Sequence, residues 1–304
     1  LKGIKNMSDS KQFHGLICPM LTPFDDLGRI DETTIRRLVD YLIDHGVNCL
    51  LPGGTTGEGM LLNLEERKKL AQIVVEQTAG RIEVMVHTGC ITTADTIELT
   101  LHAHSIGADG VSVITPYFYS YDDDALFNHY YAIAKSVPDM SVALYSYPGN
   151  AKQEVSIALF KRLRQAAANI NAIKLSDVNL IRFQEYVQAG GDNFSALCGV
   201  DALALPALAV GSKGQVSGNS NVFPEPFCKL IDTFNRGNME EARQQQIIIN
   251  NIRAVLKDNP VYFKAAMHLR GIPMNGPRLP MRPLKPQEIK EMEEGLQGLG
   301  LNVR

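Results

Sequence analysis

Three stretches of the 304-residue chain carry side chains suited to covalent or proton-transfer chemistry. Lys174 sits inside the apolar run Asn171-Ala172-Ile173-Lys174-Leu175-Ser176. Lysine is rarely buried unless paired or used, and burial favours the neutral amine, the form that attacks a ketone to make an imine. The competing reading is a strand-end lysine that reaches solvent or pairs with Asp177. Tyr145 closes another apolar run, Leu144-Tyr145-Ser146-Tyr147-Pro148-Gly149-Asn150, where a phenol can pass a proton or simply plug the core. The third stretch is Gly53-Gly54-Thr55-Thr56-Gly57-Glu58. Its glycines let backbone approach a ligand, and its two hydroxyls with nearby N–H groups suit a carboxylate. It is neither a Walker loop nor GxGxxG, and a tight strand-to-helix turn is its plainer reading.

Other polar clusters carry less. His87 ends a strand-like run in His87-Thr88-Gly89, where a structural role competes with contact to a site. His102 and His104 are two apart on a helical pattern, so they do not share a ligand. Asp122-Asp123-Asp124 reads as a helix N-terminus rather than a metal cluster. Pro116-Tyr117-Phe118-Tyr119-Ser120-Tyr121 makes an aromatic loop fit to line a pocket or an interface.

Composition narrows the function classes. With 45% hydrophobic and 21% charged residues the chain has a globular balance. A net charge of −3 argues against a nucleic-acid partner. No apolar run approaches the ~18–20 residues that cross a bilayer, so no membrane role is expected. The five cysteines are odd in number, widely spaced and without a CxxC, which fits a reducing cytoplasm and no zinc or redox motif. The polar stretch from Leu1 to Gln12 lacks the apolar segment of a secretory signal, and Met7 reads as the original start.

These side chains need a scaffold, and the chain alternates throughout to supply one. Continuous apolar runs begin near Leu16, Val47, Ile82, Val111, Val142, Ile170, Phe194 and Gly214. They recur every ~20–35 residues, the length of a strand, loop and crossover helix. Continuous rather than alternating runs suit strands buried on both faces. Between them lie helical patterns: Ile35, Leu38, Val39, Leu42 and Ile43 before Gly46; a capping box of Asn63 and Glu66; and a helix from Thr93 to about Gly107. Eight such units point to an α/β fold, a closed (β/α)8 TIM barrel over residues 13–236. Helix-like stretches around 239–257, 260–270 and 286–298 make a C-terminal helical appendage, 237–304. The active site of such a barrel lies at the C-terminal strand ends, where all three chemical stretches fall.

Taken in order, the motifs resemble the family of dihydrodipicolinate synthase and N-acetylneuraminate lyase. The likeness runs through Thr22-Pro23-Phe24, Gly54-Thr55-Thr56-Gly57-Glu58, Thr88-Gly89, Pro116-Tyr117, Tyr145, Pro148 and Lys174. It continues through Cys198-Gly199-Val200-Asp201, Asn259-Pro260 and Leu279-Pro280-Met281, from about residue 13 to 300. The resemblance implies a pyruvate-handling class I aldolase with no metal or organic cofactor. By match, Lys174 condenses with the keto group of pyruvate or another 2-keto acid, and Tyr145 shuttles protons. Thr55 and Thr56 hold the carboxylate, Thr56 also relays protons to Tyr145, and Gly199 and Val216 line the pocket. A homo-oligomer, as dimer or homotetramer, is implied too, with the loop at residues 117–121 as the dimer contact.

Departures from the pattern shape the expected substrate. Where the synthases carry an arginine for the carboxylate of aspartate semialdehyde, this chain has Asn150, and Ser146 takes the place of an asparagine. A neutral amide is no substitute for a bidentate clamp. Phe118 stands where a partner subunit's tyrosine completes a proton relay, and Leu64, Arg67 and Ile91 replace residues that bind lysine in feedback-inhibited synthases. Asp201 matches a sugar-binding aspartate of the lyases, whereas Ala202 replaces their glutamate. The expectation is a Schiff-base lyase that cleaves or condenses a 2-keto-3-deoxy sugar acid, or a related hydroxy-keto acid, to pyruvate plus an aldehyde. The alternatives are 4-hydroxy-tetrahydrodipicolinate (dihydrodipicolinate) synthase, a sugar-acid dehydratase using the same imine, and a non-catalytic barrel that binds a small acid.

Overall fold

The computed structural model describes residues 11–301; Met7 and most of the polar N-terminal stretch lie outside them. Eight parallel strands close into a barrel in chain order. They are β1 (Gly15–Cys18), β2 (Cys49–Leu50), β3 (Glu83–His87), β4 (Gly110–Ile114), β5 (Ser141–Ser146), β6 (Ile170–Leu175), β7 (Ser195–Cys198) and β8 (Gly214–Val216). Each begins within two residues of its apolar run. Around them run α1 (Glu32–Asp44), α2 (Leu64–Thr78), α3 (Thr93–Ser105), α4 (Asp123–Ser136), α5 (Pro148–Ala151), α6 (Ile157–Ala166), α7 (Leu180–Gly190), α8 (Ala204–Ala209) and α9 (Glu225–Asn235). Then come α10 (Met239–Leu256), α11 (Pro260–Leu269) and α12 (Pro286–Gly298). Only the single-turn α5 has no counterpart in the periodicity, because four residues are too few to show one.

Local chemistry starts the helices where the sequence places them. Asn63 accepts from the Glu66 amide and Glu66 from the Asn63 amide, both at 2.9 Å, a closed capping box that opens α2. Asp31, Thr92 and Asp122 cap α1, α3 and α4, each accepting from the third residue on. Asp122-Asp123-Asp124 is therefore a cap and first turn.

The strands are buried on both faces, and their alternation sorts two cores. Ile173 and Leu175 face the helices, in the large cluster between barrel and shell. Ile17, Cys49, Met85, Ala143, Ala172, Leu197 and Val216 form a separate inner cluster with Phe13. Phe13 lies against the first residue of β4, where a side chain on Gly110 would stand 2.7 Å from its ring. Because side chains alternate, residues two beyond Met85, Ala143 and Ala172 point inward at the opposite end. Those residues are His87, Tyr145 and Lys174.

The C-terminal helices continue the large core through Ile249, Ile252, Leu256, Phe263, Met267, Met292 and Leu296. The α10 residue Gln246 ties them to the barrel rim, donating to Asp201 O at 3.0 Å and accepting from Leu205 N at 2.9 Å. Among the described residues no helix is long and apolar enough to cross a membrane.

Candidate active site

A cavity of about 320 Å³ opens at the C-terminal ends of the strands. Thr55, Thr56, Tyr145, Lys174, Gly199 and Val216 all line it. Five separate strand ends or loops supply them, which is how a barrel gathers residues far apart in sequence.

Lys174 is 6% exposed, and its Nζ lies 3.9 Å from the centroid of the Tyr145 ring. The two are register partners on adjacent strands. No hydrogen bond or ion pair engages the amine among the described residues. Asp177, its rival partner, faces Arg182 at 3.6 Å. Gly199 leaves room for the lysine stem: a Cβ there would sit 3.2 Å from Lys174 Cε and 2.4 Å from Ser176 Oγ.

The Tyr145 hydroxyl lies 3.5 Å from Thr55 Oγ1. The resemblance gives the relay to Thr56; among the described residues the hydroxyl contact to the phenol is that of Thr55. Thr56 lines the same cavity with its hydroxyl toward the end of β8, 3.2 Å from where a Gly218 Cβ would be. Thr55 is the hydroxyl within reach of the phenol. Tyr147 stacks on Tyr145 at 6.1 Å between centroids, and His87 stands perpendicular to it at 6.0 Å.

The threonine turn is held from below. Thr22 donates to Gly57 O at 2.6 Å, and Glu58 adopts a left-handed φ of 58°. The Glu58 carboxylate is buried against Lys264 of α11 at 2.5 Å and accepts from Arg278 N at 2.7 Å. Lys264 and Arg278 both lie over the ring of Phe24, at 4.1 and 4.5 Å. The sequence reading missed this clamp, although an apolar helix holding one lysine, Val261-Tyr262-Phe263-Lys264-Ala265-Ala266, was a signal for it.

Asp201 also lines the cavity. It accepts from Gln215 Nε2 at 2.8 Å, Ser217 Oγ at 2.7 Å and Asn219 Nδ2 at 2.7 Å. Burial pushes its carboxyl up to about 6, against the pull of those donors. Asp258, which sequence reasoning passed over, joins the wall through Asn219 at 2.7 Å and is held by Arg253 at 2.7 and 2.9 Å. Among the described residues no arginine lines the cavity.

The remaining candidates are placed elsewhere. Ser146 points to the helical side and accepts weakly from Val155 N at 3.4 Å, since the residue after inward-facing Tyr145 must face outward. Asn150 is exposed on α5 and outside the cavity lining. Phe118 is 83% exposed with φ of 82°, away from the cavity, whereas Tyr117 packs in the small cluster around Tyr145.

A family model described as the dihydrodipicolinate synthetase family matches residues 12–299. The chain belongs to that family. A 4-hydroxy-tetrahydrodipicolinate synthase of Citrifermentans bemidjiense is 36% identical over 282 residues, covering 92% of this chain and 96% of that protein. The crystal structure of dihydrodipicolinate synthase from Aquifex aeolicus superposes with a TM-score of 0.91 at 33% identity, over 95% of this chain and 99% of that one. A prophage protein of the same family from E. coli K12, solved in complex with pyruvate, gives 0.91 at 29% identity, again over 95% and 99%. Family members are pyruvate-dependent lyases of the class I aldolase type, and this chain is an enzyme of that type.

Proposed function

We propose that the enzyme joins pyruvate to an aldehyde, or releases it by the reverse step, through an imine on Lys174. The observation that carries this reading is a buried amine, free of hydrogen-bond and ion-pair partners among the described residues, in one cavity with a buried phenol. The Lys174 amine adds to C2 of pyruvate and water leaves, giving the imine. Loss of a C3 proton then gives an enamine, with the iminium nitrogen as electron sink. The enamine carbon attacks the aldehyde carbon, and Tyr145, backed by Thr55, delivers the proton that the new alkoxide takes up. Thr55 and Thr56, with the turn's N–H groups, hold the pyruvate carboxylate. Hydrolysis of the imine frees the lysine.

The names of the relatives support the condensing alternative over the sugar-acid expectation: 4-hydroxy-tetrahydrodipicolinate synthase, with aspartate semialdehyde as the aldehyde. One observation keeps the second reading. Among the described residues no arginine lines the cavity to pair the semialdehyde's carboxylate, and Asn150 stands outside it, which favours an uncharged hydroxylated aldehyde and hence a 2-keto-3-deoxy sugar acid. The five unpaired cysteines suit work in a reducing cytoplasm. The exposed Phe118 and Tyr119 suit contact with another copy of the chain.

Borohydride reduction with pyruvate, followed by peptide mass spectrometry, tests the imine; the expected adduct lies on Lys174 and is absent from Lys174→Ala. Turnover with aspartate semialdehyde against cleavage of 2-keto-3-deoxy sugar acids then separates the two readings. A product that keeps the carbon skeleton of a sugar acid indicates dehydration. An untrapped lysine and no turnover would leave only the binding barrel.

A further inference from the structure

Arg67 of α2 and His87 of β3 are both buried, at 6% and 2% exposure, behind the residues that line the cavity. The guanidinium has no carboxylate within ion-pair distance among the described residues. Its acceptors are Gly89 O at 3.0 Å, His87 O at 2.7 Å, Cys90 Sγ at 3.1 Å and His87 Nδ1 at 3.0 Å. A buried guanidinium without a counter-charge is costly, so what it holds is informative. It clips together the end of β3, one layer from Tyr145.

The contact to Nδ1 has a chemical consequence. Arginine only donates, so Nδ1 must present its lone pair, and the imidazole's single proton falls on Nε2. An imidazolium would aim an N–H at the guanidinium. The His87 ring stands perpendicular to the Tyr145 ring, 87° between planes, and Nε2 has no conventional hydrogen-bond partner among the described residues. On its other faces the phenol meets Lys174 and Tyr147.

We propose that Arg67 and His87 form a positioning unit for the phenol: Arg67 fixes His87 as the neutral Nε2–H tautomer, and the held ring sets the place of Tyr145 against Lys174 and Thr55. The charged and titratable groups facing His87 agree with this. They are Arg67 from α2, Lys174 from β6 and Tyr145 from β5, with Cys90 and Tyr117, from the loops after β3 and β4, beside Arg67. Burial first, then Arg67, then Lys174, hold the imidazole well below its ordinary range, so it stays uncharged beside the lysine. Neither residue touches the substrate; both act through Tyr145.

The proposal rests on the imine reading, and its test separates the two. Side-chain nitrogen NMR of the intact enzyme is expected to show His87 as Nε2–H at pH 7, and still neutral where an ordinary imidazole takes up its proton. His87→Phe keeps a ring against Tyr145 but removes the ring-nitrogen acceptor of Arg67, and Arg67→Met removes the clip while keeping the stem. Each is expected to lower kcat by about ten- to a hundredfold through misplacement of the phenol. The KM for pyruvate and the trapped adduct on Lys174 should stay near wild type. An Nδ1–H tautomer or an imidazolium at pH 7 would overturn the proposal. So would unchanged kcat in both folded variants, or equal losses in kcat and adduct. Where a variant fails to fold, the wild-type tautomer still decides. An enzyme that traps no imine but shows the Nε2–H tautomer would refute the imine reading and the placement of Tyr145, leaving the tautomer assignment standing.

Discussion

At the scale of single residues, the proposed chemistry depends on hydroxyls a few ångströms from one amine. Tyr145→Phe removes the proton shuttle and leaves the ring in place, so kcat should fall by about 10²–10⁴-fold with imine trapping retained. Thr55→Val should lower kcat, because Thr55 is the hydroxyl near the phenol, whereas Thr56→Val should act mainly on the KM for pyruvate. Steady-state kinetics of the pair checks the assignment; the reverse pattern would restore Thr56 as the relay. Asp201 makes a stability prediction. Its folded carboxyl is raised to about 6, above the ~3.9 of an unfolded aspartate. The folded chain therefore binds the proton more tightly. The group favours folding below about pH 4, and that contribution is lost as pH rises through about 6. Urea titrations across this window should show a slope that Asp201→Asn removes.

At the scale of elements, the site is a strand-end layer braced by segments distant in sequence. The turn that carries Thr55 and Thr56 is seated by Glu58, whose carboxylate is met by Lys264 from α11 and the backbone of Arg278. Lys264→Met strands a buried carboxylate and should cost about 3–5 kcal/mol in urea unfolding. Adding Glu58→Gln should recover much of that loss, because a neutral pair leaves no uncompensated charge. Matching losses in the single and double variants would mean that the contact holds the turn by packing alone. The same clamp gives the C-terminal helices a role at the barrel mouth.

At the scale of the whole molecule, the closed barrel buries both strand faces and leaves its loops to form surfaces. Phe118 and Tyr119 project from the loop after β4, 83% and 62% exposed, with their rings 5.0 Å apart. Two adjacent exposed aromatics suit a contact between copies of the chain. Phe118→Asp is expected to shift the sedimentation coefficient of the purified enzyme toward the monomer. An unchanged coefficient would place the interface elsewhere.

The sequence by itself determined the strand and helix order, the caps and the chemical identities at the strand ends. These depend on period, on neighbouring residues and on side-chain type, which a linear chain displays. Lys174 inside an apolar run and Tyr145 at the end of another were legible for that reason. What the tertiary structure alone decided concerns direction and distance between strands. It turned Thr55, not Thr56, toward the phenol and sent Ser146 to the outer face. It set Asp258 beside Asp201 across 56 intervening positions, and left Phe118 and Asn150 outside the cavity. It also paired Glu58 with Lys264 and Arg67 with His87. Barrel closure brings such partners together, and no local pattern in either partner's stretch encodes where the other will be.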